Sequence, residues 1–298
     1  MKKALMLIMI IMLMTGCGST EDLNKDINNP TSKGITVDEV LLPEAANVSI
    51  KSDELVEIDY SNATKGYFMA RTKSEDHEKL KIRIIKEDKT YDYDINRDLE
   101  YVTYPLNMGD GVYNIKICEN IEGNRYAVRF ALEIDVKLDD DFLPYLYPNI
   151  IIDYCLDDEV VAKSFELVAG DMTTLERVEH LYSYVVDNIK YDNSKLEAAR
   201  LSFLIPDLNY TIETKSGICI DYASLLCALL RIQQIPCKVI TGYVDEGYHA
   251  WVSVYIDDNI GWITPEIYFE KENWNSADPT FDATKKNYDG PYEVKDQY

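Results

Sequence analysis

Residues 216–231 read SGICIDYASLLCALLR. From Ile220 to Ile232 the apolar residues keep helical spacing, with Ala223, Leu226, Cys227 and Leu230 on one side. Gly217 lets the backbone turn tightly into this run, so the helix starts near Cys219. In the first turn, free N–H groups and the positive helix end favour a thiolate over a thiol. The helix stops near Gln234, because Pro236 disfavours helical backbone at Ile235.

Downstream, CKVITGYV (237–244) and YHAWVSVYI (248–256) read as adjacent strands, and GWI (261–263) as another after the turn DDNIG. His249 lies near the start of the second strand and can face the helix end if that sheet packs on the helix. Asp278 follows in DPTFDA, with Pro279 fixing the backbone just after it. A cysteine, a histidine to hold its proton and an acid to orient the imidazole are the parts of a nucleophilic triad. Many cysteine, histidine and aspartate combinations occur in a long chain. Here only one histidine lies in the apolar core of the second half and only one cysteine at a helix start, which singles out Cys219, His249 and Asp278.

Upstream of the helix, Asp157 or Asp158 can cap a segment running through Val168, which Gly170 would end. Thr173 and Glu176 form a capping box for the next helix. Its buried face is Leu175, Val178, Leu181, Val185 and Ile189, and His180 falls off that stripe. The stretch 191–215, broken by Pro206, reads as a short helix and a loop over the site.

Residues 35–138 change period. ELVEIDY, YFMARTK, KLKIRIIKE, GVYNIKICE and RYAVRFALEIDVKL read as β segments between turns such as NMGDG and ENIEGN. Short strands at this spacing predict an all-β sandwich. Tyrosines 91, 93, 101, 104, 113 and 126 fit as packing residues of strands rather than as a carbohydrate groove. His77, in SEDHEK, reads as a solvated loop residue. The run DDDFLPYLYP at 139–148 marks a domain change, and its aspartates lack the alternating spacing of a calcium loop. The expected organisation is therefore a β-sandwich domain at 35–138 and an α+β domain at 139–298.

The beginning, MKKALMLIMIIMLMTGC, places two lysines before eleven apolar residues, a span too short for a bilayer but suited to an export signal. Residues 1–17 resemble a bacterial lipoprotein signal, in which Cys17 would carry the lipid anchor. The polar stretch 18–34 would be a flexible linker.

Composition narrows the partners. Thirty Lys and Arg stand against 53 Asp and Glu, a net charge of −23, so neither nucleic acid nor an anionic lipid surface is expected as a direct partner. The six cysteines form no CxxC pair and the three histidines are dispersed, so neither a metal site nor a cofactor is expected. Cys227 and Cys237 read as buried fillers.

GICIDYA (217–223), HAW (249–251) and DPTF (278–281), in that order, resemble the motifs of the transglutaminase-like superfamily. IPCKVITGY and VVDNIKYD add to the resemblance, which covers about 175–284. It implies a papain-related α+β domain with a helix packed on an antiparallel sheet, and a Cys219–His249–Asp278 triad. The segment 264–277 is longer than the family's usual spacing and could be a lid or substrate loop. The family's animal crosslinking enzymes have a tryptophan upstream of the cysteine, whereas Trp251, Trp262 and Trp274 all lie downstream. That weighs toward hydrolysis over crosslinking. The expectation is a cysteine peptidase or isopeptidase on the outer face of a bacterial cell membrane, acting on peptides or proteins, cell-wall peptides included. The alternatives are a protein-glutamine transamidase and a non-catalytic binding module. The backbone N–H of Cys219 is the candidate oxyanion donor.

Overall fold

A computed structural model describes residues 34–76, 78–95, 99–199, 204–257, 260–263, 278–286, 288 and 290–298. The leader with Cys17, the linker up to residue 33, His77 and the 264–277 segment lie outside the described residues.

Alternation builds the first half. Its strands are β1 (Ile50–Ser52), β2 (Val56–Asp59), β3 (Tyr67–Thr72), β4 (Leu80–Lys86), β5 (Lys89–Asp94), β6 (Val102–Pro105), β7 (Gly111–Glu122) and β8 (Arg125–Val136). They pair antiparallel into two four-stranded sheets, ordered β1-β2-β3-β6 and β5-β4-β7-β8. Leu80, Ile82 and Ile84 of β4 point inward at every second position, as do Tyr113, Ile115 and Ile117 of β7. They share a core with Val56, Ile58 and Phe68 of the other sheet. Tyr93 meets Tyr104 edge-on across the two sheets at 5.5 Å. This is a sandwich. Tyrosines 91, 93, 104 and 113 are buried in it, and the Tyr101 hydroxyl donates to Glu57 at 2.8 Å. Strands β5 and β6 were not among the β segments read from the sequence. TYDYD does alternate, burying Tyr91 and Tyr93 and exposing its acids, but aspartate is a poor strand former, and VTYP is only four residues long.

The second half contains α1 (Glu159–Leu167), α2 (Thr174–Asn188), β9 (Lys190–Tyr191), α3 (Asn193–Ala199), α4 (Leu208–Thr214), β10 (Ser216–Gly217) and α5 (Cys219–Ile232). After these come β11 (Cys237–Val244), β12 (Gly247–Tyr255), β13 (Trp262–Ile263), α6 (Pro279–Ala283) and β14 (Glu293–Gln297). The capping box at α2 forms: Thr173 Oγ1 accepts from the Glu176 N–H at 3.2 Å, and Glu176 accepts from the Thr173 N–H at 2.8 Å. His180 is exposed, and its Nδ1 lies 3.3 Å from the Leu167 carbonyl. The described residues of the 191–215 stretch hold two short helices rather than one. Asp192 caps the start of α3 and Asp207 the start of α4, each through a side-chain oxygen on a first-turn N–H.

Every residue of α5 after Cys219 is buried. A helix apolar on all sides belongs inside a protein, and α5 packs between β11 and β12 and the helices α1 and α2. The sheet order is β13-β12-β11-β14, antiparallel throughout. Strand β14 escaped the sequence reading because EVKDQ has no apolar alternation; its pairing with β11 makes it a strand. That approach needs Gly242, where a Cβ would lie 1.9 Å from the Glu293 carbonyl oxygen.

The two halves meet around Arg231, which is fully buried. It donates to the carbonyls of Tyr147, Cys237 and Tyr298 at 2.6–3.0 Å. Tyr298 in turn sits edge-on to Tyr91 of the sandwich at 5.8 Å. Together they make a mixed α+β architecture: a β sandwich joined to a helix-on-sheet domain with a shared core.

Candidate active site

The first turn of α5 is built to hold a cysteine at its mouth. Ile218, at the N-cap position, has no side-chain acceptor, and Asp221 supplies one instead. Its Oδ2 accepts from the Ile218 N–H at 2.8 Å, while the Asp221 and Tyr222 N–H groups take the Ile218 carbonyl. The parallel pairing of β9 with β10 brings Tyr191 beside Gly217. A Cβ at Gly217 would lie 2.7 Å from the Asp221 Cβ, so only glycine admits this turn. Cys219 follows, half-buried and free of any disulfide.

His249 stands on β12, opposite Gly242 of β11, and is only 7% exposed. Its ring stacks on Phe281 at 4.5 Å and near-parallel on Trp251 at 6.3 Å. Its Nε2 lies 2.7 Å from Asp278 Oδ2, and the ring is also hydrogen-bonded to the Cys219 side chain. With Nε2 engaged by the carboxylate, Nδ1 is the atom left for sulfur. Burial disfavours the charged imidazole. The hydrogen bonds and charges of Asp278 and Cys219 outweigh that effect and raise the His249 pKa to about 9.

The local meaning of DPTF is a helix start. Asp278 is the N-cap of α6 and Pro279 its first residue, which places a fixed φ where no N–H is needed. Asp278 Oδ1 accepts from the Thr280 and Phe281 N–H groups, each at 3.0 Å. That leaves Oδ2 turned to His249. The capping bonds therefore aim the acid, and the next residue but two, Phe281, stacks on the base it orients.

Two participants were not read from the sequence. The Tyr292 hydroxyl donates to Asp278 Oδ2 at 3.2 Å, sharing the oxygen that His249 uses. Burial, together with the Asp278 charge and hydrogen bond, raises the Tyr292 pKa. No local pattern marks this residue, because it reaches the site through the return of the chain into β14. Lys195 is the second: its Nζ lies 2.8 Å from the other oxygen of Asp221, which is itself fully buried. The Ile218-to-Asp221 spacing could have suggested the carboxylate as a first-turn cap, but not its partner on α3.

The cleft around Cys219 and His249 has a volume of about 540 Å³. Thus the structure brings Cys219, His249 and Asp278 together as one hydrogen-bonded line. Cys17 lies outside the described residues. Among the described residues no group of side chains could hold a metal ion.

Residues 161–279, which contain all three, match the family model of the transglutaminase-like superfamily. The chain carries a transglutaminase-like domain. A UPF0252 protein of Methanocaldococcus jannaschii is 31% identical over 176 residues, which cover 54% of this chain and 47% of that protein. The chain thus spans about half the length of the curated relative it matches. Among solved structures, similarity extends to an inferred cysteine protease from Cytophaga hutchinsonii. That likeness has a TM-score of 0.33 and 16% identity, covering 66% of this chain and 77% of the other. Red sea bream transglutaminase is similar with a TM-score of 0.26 and 13% identity, over 66% of this chain and 47% of that one.

Proposed function

We propose that this protein is a cysteine-dependent amide hydrolase that works through an acyl-enzyme on Cys219. The observation that carries this reading is His249 bridging Cys219 and Asp278 at the mouth of α5. Cys219 Sγ, as thiolate beside the imidazolium, attacks a carbonyl carbon. A C–S bond forms and the carbonyl π electrons move onto oxygen. The Cys219 N–H is the donor assigned to this oxyanion, since the Asp221 and Tyr222 N–H groups already bond the Ile218 carbonyl. The oxyanion collapses, the C–N bond breaks, and His249 gives its proton to the departing amine. Water then enters, loses its proton to His249 and displaces sulfur from the thioester. An amine in place of water would give transamidation by the same steps.

A pKa near 9 suits His249 to this sequence, because the imidazolium needed for the leaving group is present at neutral pH. Asp278, held by two backbone N–H groups, orients the ring and stabilises its charged form.

The reading is tested by mass spectrometry of peptides and model proteins treated with the protein, with and without an added primary amine, against Cys219→Ala as control. Cleavage supports hydrolysis, and amine incorporation would make the protein a transamidase. No change in any substrate would favour a binding module.

The leader supports a place for this activity at the cell envelope, with peptides or proteins there as substrates and Cys17 as lipid attachment. Among the described residues no helix is long and apolar enough to cross a membrane. Cys17→Ala should move the protein from the membrane fraction to the medium, and full membrane retention of the variant would sink the lipoprotein reading.

A further inference from the structure

The walls of the cleft differ in character from the rest of the protein. In a chain of net charge −23, the charged side chains that line the cleft among the described residues, besides His249, are Glu246 and Lys286. They pair with each other at 2.6 Å and are both about two-fifths exposed, so they cancel at the rim. The remaining lining is mainly apolar. Ile218 and Ile220 flank the nucleophile, Val244 and Phe281 stand on the sheet and α6 side, and Leu196 and Ala199 project from α3. A volume of about 540 Å³ lies within the roughly 300–1,000 Å³ of sites that enclose a small ligand. A charged group entering here would lose its water without gaining a partner, while an apolar group gains by leaving water.

The α3 wall is fastened in an unusual way. No residue of α3 is fully buried; Leu196 and Ala199 pack only partly against the core, so apolar burial alone gives this helix a modest hold. Polar bonds add to that hold. Asp192 caps its first turn, and Lys195 reaches the buried Asp221, two residues beyond Cys219. A buried carboxylate is costly unless paired, and here both of its oxygens are engaged, one on the turn that carries the nucleophile and one on the wall. Asp221, bonding in two directions, therefore helps to set the position of Leu196 relative to Cys219.

We propose that the cleft selects a bulky apolar side chain next to the scissile acyl group, with α3, pinned by Lys195 to Asp221, as the selecting wall. This rests on the acyl-transfer reading above. The substrate class is a peptide or acyl amide with a leucine-like or phenylalanine-like group beside the attacked carbonyl, as against an acidic or basic one.

The test uses acetyl-Gly-Xaa aminomethylcoumarin amides, with leucine, phenylalanine, alanine, aspartate or lysine as Xaa. Leucine and phenylalanine should exceed alanine in kcat/KM by about tenfold or more, since each methylene in an apolar pocket discriminates on roughly that scale. Aspartate and lysine should fall below alanine. Leu196→Glu should lower kcat/KM for the leucine substrate about tenfold, mainly through KM, and raise the relative rate for lysine. The same peptides, as plain amides, are titrated into the Cys219→Ala protein, whose affinities should follow the same ranking. Equal rates across the series, or an unchanged ranking in Leu196→Glu, would overturn the proposal. If the Cys219→Ala protein ranks the peptides as expected while the native protein turns none over, the apolar site stands and the acyl-transfer reading fails. Turnover without ranking has the opposite meaning.

Discussion

The two halves of this protein treat charge in opposite ways. In the sandwich, ionic side chains pair at the surface: Arg83 with Asp92, Arg71 with Glu57, and Arg129 with Asp53, Glu54 and Glu119. Asp59 is the buried exception among the described residues there. The second half buries Arg177, Asp221, Arg231 and Asp278 together with His249. Asp221 accepts hydrogen bonds on both its oxygens, Asp278 accepts from His249, Tyr292 and two backbone N–H groups, and Arg231 donates to three carbonyls. An apolar alternating pattern suffices to build a sandwich. Aiming a base at a nucleophile requires charges held where water cannot compete, and such charges survive only with partners.

The sharpest way to break this comparison is to change the same residue type in both halves. Cys219→Ala should lower amide turnover by a factor of about 1,000 or more, while Cys118→Ala in β7 should leave it unchanged. Comparable rates in the two variants would remove the site from α5. Asp278→Asn should follow, with a loss of about 1,000-fold or more in kcat and retained fold by circular dichroism, because an amide cannot stabilise the imidazolium.

Stability offers the next contrast. Lys195→Met leaves Asp221 buried without its cation and should cost about 3–5 kcal/mol in urea unfolding. Arg83→Met, at an exposed pair, should cost at most about 1 kcal/mol. Similar costs at the two positions would mean that burial does not separate the halves energetically.

The smallest effects concern pH. The folded pKa of His249, about 9, lies above its ordinary value of 6.5. Its stabilising contribution should therefore be complete below about pH 6.5 and disappear as pH rises through 9. The difference in unfolding free energy between the native protein and His249→Gln, measured from pH 6 to 10, should shrink along that range. Turnover should show a basic limb near the same pH. Tyr292→Phe frees Asp278 Oδ2 from a competing donor, strengthening its hold on the imidazolium. It should move that limb upward by about half a unit, the worth of a modest hydrogen bond. A downward shift would show that the hydroxyl supports the ion pair rather than tempering it.

The sequence by itself determined much of this protein. Helical spacing after Gly217 located α5 and put Cys219 at its start, and Thr173 with Glu176 marked the start of α2. Period-two runs marked the sandwich, and the motifs HAW and DPTF singled out His249 and Asp278. These features were legible because each depends on local backbone rules that operate within a few residues. Tertiary structure decided the rest. EVKDQ became a strand only by pairing at Gly242. Tyr292 reached Asp278 from fourteen residues away, and Lys195 reached Asp221 from twenty-six. Such partnerships form because a buried charge must find a donor or counter-ion wherever the folded chain brings one near. That requirement acts through space and leaves no periodicity to read.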